Sequence, residues 1–162
     1  MANNITTAGV GTIDTQAFTF TSNGVISGAG SITKIGTGNL VLNGANTYTG
    51  GSFINAGTAT VGNNTAFGTA LVTMADGTVL ANNASGFNVA NDFTIGNVEV
   101  ATGANTFTMS GLINGAGLLT KTGTGNLVLT GNNSYAGGTA LTAGTITFTT
   151  NTAFGTGTVT TT

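Results

Sequence analysis

The sequence of 162 residues contains no cysteine, no proline, no tryptophan and no histidine. Without cysteine the chain forms no disulfide bond, and without histidine it lacks the side chain most often used for general acid–base catalysis at neutral pH. The absence of proline suits strands that pair on both sides, because every residue then has a backbone N–H to donate. These absences favour a β-sheet protein and argue against an enzyme.

Charge is also scarce, since only 4% of the residues are charged and the net charge is −2. Lys34 and Lys121 are the only basic side chains. Binding to nucleic acid or to anionic lipid needs a dense field of basic residues, so neither partner is expected. No apolar run reaches the length of a membrane span, so we expect no membrane insertion. The mean hydropathy of +0.32 argues against disorder.

An internal repeat is the dominant feature of what remains. At an offset of 87 residues, Phe20–Ala75 matches Phe107–Thr162 at about 33 of 56 positions. The most similar segments are Lys34–Gly57 and Lys121–Gly144, in which short apolar strands lie between glycine corners. We therefore predict one β-solenoid domain over residues 1–162, built of a unit at 1–87 and an incomplete one at 88–162.

The repeated motif also carries a family resemblance. Both copies have the pattern Lys-x-Gly-x-Gly-x-Leu-x-Leu-x-Gly-x-Asn-x-Tyr-x-Gly-Gly, followed by Ala-Gly-Thr, over Lys34–Thr58 and Lys121–Thr145. This pattern resembles the passenger-associated strand repeat of bacterial autotransporters. The resemblance implies a right-handed parallel β-helix displayed on a bacterial surface. The first sixteen residues do not have the order of a secretory signal peptide, so we expect a passenger fragment or another export route.

Composition and spacing independently predict an all-β chain of short strands. Helix-forming residues are nearly absent, and a coil of roughly 20–22 residues gives about seven or eight coils. The predicted strands before the second copy are Asn4–Ala8, Thr12–Thr15, Phe18–Ser22, Val25–Ser27, Ser31–Lys34, Asn39–Asn43, Ser52–Asn55, Thr58–Val61, Ala70–Ala75, Thr78–Ala81, Phe87–Ala90, Asp92–Ile95 and Asn97–Ala101.

The alternation within these strands predicts which side chains fill the core. We expect the leucines of the two Asn-Leu-Val-Leu segments to point inward and the intervening Val41 and Val128 to point outward. Phe67 and Phe154, in the repeated Thr-Ala-Phe-Gly-Thr, are expected to cap the edge of the core at a corner. Lys34 shares the parity of the inward residues, so we expect a corner just before its ammonium that lets it reach water.

The titratable residues do not suggest catalysis or metal binding. Asp92 and Glu99 are the best candidate pair for cleaving a carbohydrate, but they have no Arg or His nearby in the sequence, so we predict no catalytic residue. The corners at Gly36–Leu40 and Gly123–Leu127 resemble calcium-binding glycine repeats without their aspartate. We predict no metal site and no cofactor.

Two polar patterns have structural and functional interpretations. Thr-x-Thr recurs at Thr19/Thr21, Thr58/Thr60, Thr106/Thr108, Thr145/Thr147 and Thr158/Thr160. On one flat face such pairs could order water as in ice-binding solenoids, although threonine is also a favourable residue on any exposed strand. The repeated asparagines Asn46/Asn133 and Asn64/Asn151, with Asn82, are expected to stack in ladders between coils.

The function predicted from these features is a non-enzymatic structural solenoid of a bacterial surface or extracellular matrix that associates with itself. Its terminal edge strands lack charge, so we expect head-to-tail contact through Ile5, Thr6, Thr7, Thr158, Val159 and Thr160. The alternative is an adhesin fragment that binds a host glycan or protein through a lateral contact at Tyr48 and Tyr135. An ice-binding solenoid is a third hypothesis.

Overall fold

A computed structural model describes residues 3–162. These residues form twenty β-strands and no helix, and all the strand pairs among them are parallel. The strands are β1 (Ile5–Thr6), β2 (Val10–Asp14), β3 (Thr19–Ser22), β4 (Ile26–Ser27), β5 (Ser31–Ile35), β6 (Asn39–Leu42), β7 (Ser52–Ile54), β8 (Thr58–Val61), β9 (Val72–Met74), β10 (Thr78–Asn82), β11 (Phe87–Val89), β12 (Phe93–Ile95), β13 (Val98–Ala101), β14 (Thr106–Met109), β15 (Ile113–Asn114), β16 (Leu119–Thr122), β17 (Asn126–Leu129), β18 (Thr139–Leu141), β19 (Thr145–Phe148) and β20 (Val159–Thr161).

Three faces make up the cross-section of the coil. The first face is the eight-stranded sheet β3-β6-β8-β10-β13-β16-β18-β20, and the second is the six-stranded sheet β2-β5-β7-β9-β12-β15. The third face starts with β1-β4 and ends with β11-β14-β17-β19. Between those two sheets, loops at 46–49 and 64–69 continue the third face, since Thr47 N donates to Ile26 O at 2.8 Å and Thr69 N to Tyr48 O at 3.1 Å.

Each turn of the coil visits the third, second and first face in that order. Residues paired between successive turns are 19 to 21 positions apart, as in Leu40 with Ala59 and Leu80 with Ala59. The chain is therefore a parallel β-solenoid of about eight turns, which confirms the predicted fold class. Its right-handed sense stays a prediction from the resemblance.

Apolar side chains fill the bore in rows that run along the axis. Leu40, Leu42, Leu127 and Leu129 are each at most 1% exposed, which confirms the predicted inward parity. The valines between them, Val41 and Val128, are half-buried on the opposite side of their strands. Because parallel pairing places equivalent residues in adjacent turns directly above one another, each inward row extends the same apolar core.

Two repeated phenylalanines lie where corners meet the bore. Phe67 is fully buried and packs edge-on against Phe93, with ring centroids 6.2 Å apart. Phe154 is half-buried, and its ring lies 4.8 Å from that of Phe148. Phe67 therefore belongs to the core itself and not to its edge, whereas Phe154 lies half-buried in the last turn of the described residues.

The 87-residue repeat is not a whole number of turns. Leu40 lies on β6 of the first face, but its equivalent Leu127 lies on β17 of the third face. From β6 to β17 the chain passes eleven strands and the two loop segments of the third face, thirteen segments at three a turn. The repeat thus spans four and one-third turns, and equivalent residues face directions one-third of a turn apart. The prediction of about four coils was one face short.

Candidate functional site: the repeated coil motif

The lysine that begins each motif lies inside the coil. Lys34 is fully buried, and its Nζ donates to Gly36 O and Ala56 O at 2.9 Å and to Thr15 Oγ1 at 3.0 Å. Gly36 has a φ of +79°, a left-handed conformation that glycine adopts without strain. Burial lowers the pKa of Lys34, and the charge of Asp14 partly opposes this. The expectation that this ammonium reaches water was wrong, because oxygens of three successive turns satisfy it.

Lys121 repeats this arrangement one face further round the coil. It is fully buried, and its Nζ donates to Thr122 O and Gly123 O at 2.8 Å and to Ala143 O at 3.1 Å. Burial lowers its pKa as well. Ala143 belongs to the following turn, so the lysine ties two turns together at a corner where strand pairing stops.

Both lysines should therefore be inaccessible to a protease that cleaves after basic residues. Cleavage needs the chain to open locally, and both sites are held in a paired strand of the ladder. We expect the folded protein to remain intact in trypsin and the urea-unfolded protein to give three fragments, ending at Lys34, Lys121 and Thr162. Mass spectrometry of the digest checks this, and rapid cleavage of the folded chain would contradict the burial.

The asparagine of each motif bridges three turns. Asn46 Oδ1 accepts from Ile26 N at 2.8 Å in the preceding turn, and Asn46 Nδ2 donates to Ala66 O at 2.6 Å in the following turn. Asn133 makes the same two bonds at 2.8 and 2.7 Å, each to the residue 87 positions further on. These segments contain no strand, so the amide side chains replace the missing ladder bonds. Asn46 and Asn133 thus join neighbouring turns as predicted, but each amide bonds to backbone groups, and the two residues do not form a ladder of side chains.

A true side-chain ladder forms elsewhere, at an exposed corner. Asn43 Nδ2 donates to Asn23 Oδ1 at 2.7 Å, and Asn83 Nδ2 donates to Asn43 Oδ1 at 3.1 Å, two turns away. Gly62 lies in the turn between them, and a Cβ there would collide with Asn43 Oδ1. Asn82 is not part of such a ladder, because its Nδ2 donates to Ala84 O in its own corner.

The two tyrosines belong to the core. Tyr48 and Tyr135 are both 0% exposed. They lie on different faces, because each copy of the repeat is rotated by one face, or one-third of a turn, relative to the previous copy; we call this the one-face step. The Tyr48 hydroxyl shares a 2.6 Å hydrogen bond with Ser52 Oγ, and that of Tyr135 shares one with Thr139 Oγ1. The predicted lateral contact through these tyrosines was therefore wrong. Their hydroxyls find partners within the chain, which lets large aromatic side chains fill the bore.

Burial of Tyr48 makes a test by alkaline titration. Burial raises its pKa from 10.0 to about 12, although the bond to Ser52 opposes the shift. The stability that this tyrosine contributes is present below pH 10 and is lost as the pH rises through about 12, by about 3 kcal/mol. Tyr48→Phe should be less stable than the parent by about 1 kcal/mol at pH 8, because a hydrogen bond is lost.

At pH 12 the order should reverse, since phenylalanine does not ionise. Urea unfolding of both proteins between pH 8 and pH 12 checks this, and curves that never cross would contradict the burial of the hydroxyl. Lys34, Lys121 and Tyr135 are present in both proteins, so their own ionisation cancels in the comparison.

The four carboxylates each accept a hydrogen bond within the coil. Backbone N–H groups donate to Asp14, Asp76 and Asp92 at 2.8, 2.6 and 2.8 Å, and Thr122 Oγ1 donates to Glu99 at 2.6 Å. Asp92 lies at the corner before β12 on the second face, whereas Glu99 lies on β13 of the first face. They are not positioned to flank one bond. No group of three metal-binding side chains occurs within residues 3–162.

The threonine pairs do not share one face. Thr19/Thr21, Thr58/Thr60 and Thr160 lie on strands of the first face, whereas Thr106/Thr108 and Thr145/Thr147 lie on the third. On the first face the pairs fall in the first, third and eighth turns. An ice-binding surface needs the pair on consecutive turns, so this arrangement does not support the ice-binding hypothesis.

The residues predicted for self-association occupy the two ends of the ladder. Ile5 and Thr6 form β1, which pairs with β4, and Thr7 Oγ1 donates to Ser27 O at 3.2 Å. Val159 and Thr160 belong to β20, which pairs with β18, and Thr158 precedes them. Within residues 3–162, both strands are the outermost members of their sheets.

Among residues 3–162 the structure contains no helix that could span a membrane.

Comparison with known proteins agrees with the motif. The family model for the passenger-associated-transport-repeat matches residues 32–58 and 119–148. The chain is 40% identical over 140 residues to the adhesin BmaC autotransporter of Brucella suis biovar 1 (strain 1330), an alignment that covers 77% of this chain and 4% of that protein. No solved structure matches the chain.

These matches fall on the residues that hold the turns together. The two segments matched by the family model include both buried lysines and both buried strands of the Asn-Leu-Val-Leu type. The chain is a parallel β-solenoid in which two segments match the passenger-associated-transport-repeat, and it is similar in sequence to an autotransporter adhesin.

Proposed function

We propose that this solenoid is a spacing segment of a surface-displayed or secreted adhesin, and that it has no enzymatic activity. The observation that carries the proposal is that every lysine, tyrosine and carboxylate side chain is hydrogen-bonded within the coil. Both lysines and three of the four carboxylates bind a group in a neighbouring turn. Such bonds stabilise the stack of turns and leave no convergent set of groups for catalysis.

The similarity to an adhesin supports the location and the class of the whole protein. That relative is named an adhesin and an autotransporter, and this chain spans 4% of its length. We propose that host contact, with a glycan or a protein, is made elsewhere in the full protein, because the tyrosines that could have formed a lateral contact are buried. The segment would then set the distance between that contact and the cell.

Two measurements test the spacing role. Antibodies against the folded polypeptide should label intact bacteria that produce the full protein, which checks the location. Beads coated with the 162-residue polypeptide should attach to host cells no better than beads coated with albumin. Specific attachment of the coated beads would overturn the spacing role and restore a lateral binding site.

We propose a second property of the 162-residue polypeptide by itself, self-association through its first and last turns. The four most exposed large apolar side chains are Val10 at 73%, Phe18 at 72%, Phe148 at 53% and Val159 at 50%, all in the first or last turn of residues 3–162. In a longer adhesin, neighbouring turns would cover the same side chains. Stacking a second copy on such a turn would pair open backbone groups and cover these side chains. We propose that β1 and β20, with the adjoining Thr7 and Thr158, form this contact.

Charge placed on the last strand tests this contact. Thr158→Lys with Thr160→Lys should abolish threads of the 162-residue polypeptide in negative-stain micrographs, because natural edge strands use lysine to prevent pairing. The matched control is Leu118→Lys with Thr120→Lys, which adds the same charges at the equivalent positions of the same face in the sixth turn. Threads in both double variants, or a parent that stays monomeric at high concentration, would refute the contact.

A further inference from the structure

The one-face step of the repeat determines where its surface positions point. Thr37 is exposed at the corner between β5 and β6, where the second face meets the first. Its equivalent Thr124 is exposed at the corner between β16 and β17, where the first face meets the third. Thr65 and Thr152 are also equivalent and exposed, and they lie in loops stacked on the third and second faces. No equivalent pair therefore shares a side of the coil.

We propose that successive copies of this repeat present their equivalent surface positions on different sides of the coil, an arrangement we call radial display. A feature encoded once in each 87-residue copy points to a new side in the next copy, one-third of a turn round and about 21 Å along the axis. The same side is reached again after three copies, which is three times 87, or 261 residues, thirteen turns and about 62 Å. This inference rests on the proposed spacing role and adds the side of the coil on which each copy presents its surface positions.

The repeated surface positions carry no charge. Both basic side chains are buried, and the repeated exposed positions are threonine, asparagine and glycine.

Radial display also affects the packing of two solenoids side by side. Identical side chains stacked in register on one face would form a flat ladder, which is the arrangement that favours zipper-like aggregation. With a one-face step, each face is a mosaic of different parts of the repeat, as Leu40 and Leu127 illustrate on their separate faces. The step therefore disfavours lateral self-association in a chain that has almost no surface charge to prevent it.

Distances between nitroxide labels test the step directly. The chain has no cysteine, so paired cysteine substitutions are labelled without background. Thr37→Cys with Thr124→Cys should give a distance of about 29 Å, from about 21 Å along the axis and about 20 Å across one face. The control, Thr37→Cys with Ala116→Cys, joins two corners of the same kind four turns apart and should give about 19 Å.

Equal distances near 19–21 Å in the two pairs would overturn the proposal, since the repeat would then return to the same side. Thr65→Cys with Thr152→Cys gives an independent second measurement, also expected near 29 Å, if a label at Thr37 disturbs its corner. Equal distances would leave the spacing role intact, because a repeat of whole turns would also hold the host contact away from the cell. Conversely, host-cell attachment of coated beads would refute the spacing role without changing either distance.

Discussion

The Leu42→Asp protein is expected to be largely unfolded at 25 °C, as is the equivalent Leu129→Asp. Leu42 is 1% exposed and Leu129 is 0% exposed, each in an inward row of the bore. Loss of a buried leucine costs about 2–5 kcal/mol, and an unpaired carboxylate in an apolar core costs several more. The sum is comparable to the whole stability of a typical domain, about 5–15 kcal/mol.

The neighbouring valine provides a matched control. Val41→Asp introduces the same carboxylate one residue earlier on the same strand, but there it points outward between Thr21 and Thr60. We expect it to change the free energy of unfolding by less than about 1 kcal/mol. Far-UV circular dichroism and urea midpoints distinguish the two, and similar destabilisation by both substitutions would contradict the inward parity.

Strand positions were predictable because glycine, asparagine and threonine mark the corners so regularly. The predicted Thr58–Val61 has the observed bounds of β8, and most other predictions differ from the structure by one or two residues at an end. The largest excesses, three residues each, were Asn4–Ala8, of which only Ile5–Thr6 is strand, and Ala70–Ala75, of which only Val72–Met74 is strand. Leu71 is 44% exposed at the preceding corner, and apolar composition alone does not show where a strand begins.

The phase of the repeat was not predictable from its length. An offset of 87 residues is compatible with four turns of nearly 22 residues or with four and one-third turns of about 20. Glycine corners accept either length, and the residue order within a face is the same in both cases. The register settles it, since Leu40 pairs with Phe20 and Ala59 on the first face, whereas Leu127 pairs with Phe107 and Ile146 on the third. The wrong phase also placed Tyr48 and Tyr135 on one face. The predicted lateral contact failed for a second reason, because both side chains are buried.

The lysines were missed although the sequence contains their signal. Lys34 has the inward parity of Ile32, and Lys121 that of Leu119. Burial was rejected in the prediction because an isolated ammonium is costly in an apolar interior. A solenoid corner removes that cost, since carbonyl groups of successive turns, such as Gly36 O and Ala56 O, converge where the chain bends. An inward lysine two residues before a glycine in both copies is the pattern that predicts it.

Lys121→Glu should therefore be among the most damaging single substitutions outside the apolar rows. The carbonyl oxygens of Thr122, Gly123 and Ala143 now accept bonds from a cation at 2.8–3.1 Å. A carboxylate would face the same oxygens without a proton to donate, so three charge-assisted bonds would be replaced by repulsion. Each such bond contributes about 1.5–3 kcal/mol, so we expect a loss of at least about 4 kcal/mol.

Two further variants separate burial from charge in this experiment. Thr124→Glu places a carboxylate at the exposed corner three residues later and should change stability by less than about 1 kcal/mol. Lys121→Met keeps the length of the side chain but leaves the three carbonyls without a donor, so it should lie between the other two. Urea midpoints rank the three proteins, and amide exchange should increase first around residues 121–144, where the lysine joins the sixth turn to the seventh. If Lys121→Glu unfolds at the same urea concentration as Thr124→Glu, the ammonium lies in solvent and the corner is held by backbone pairing alone.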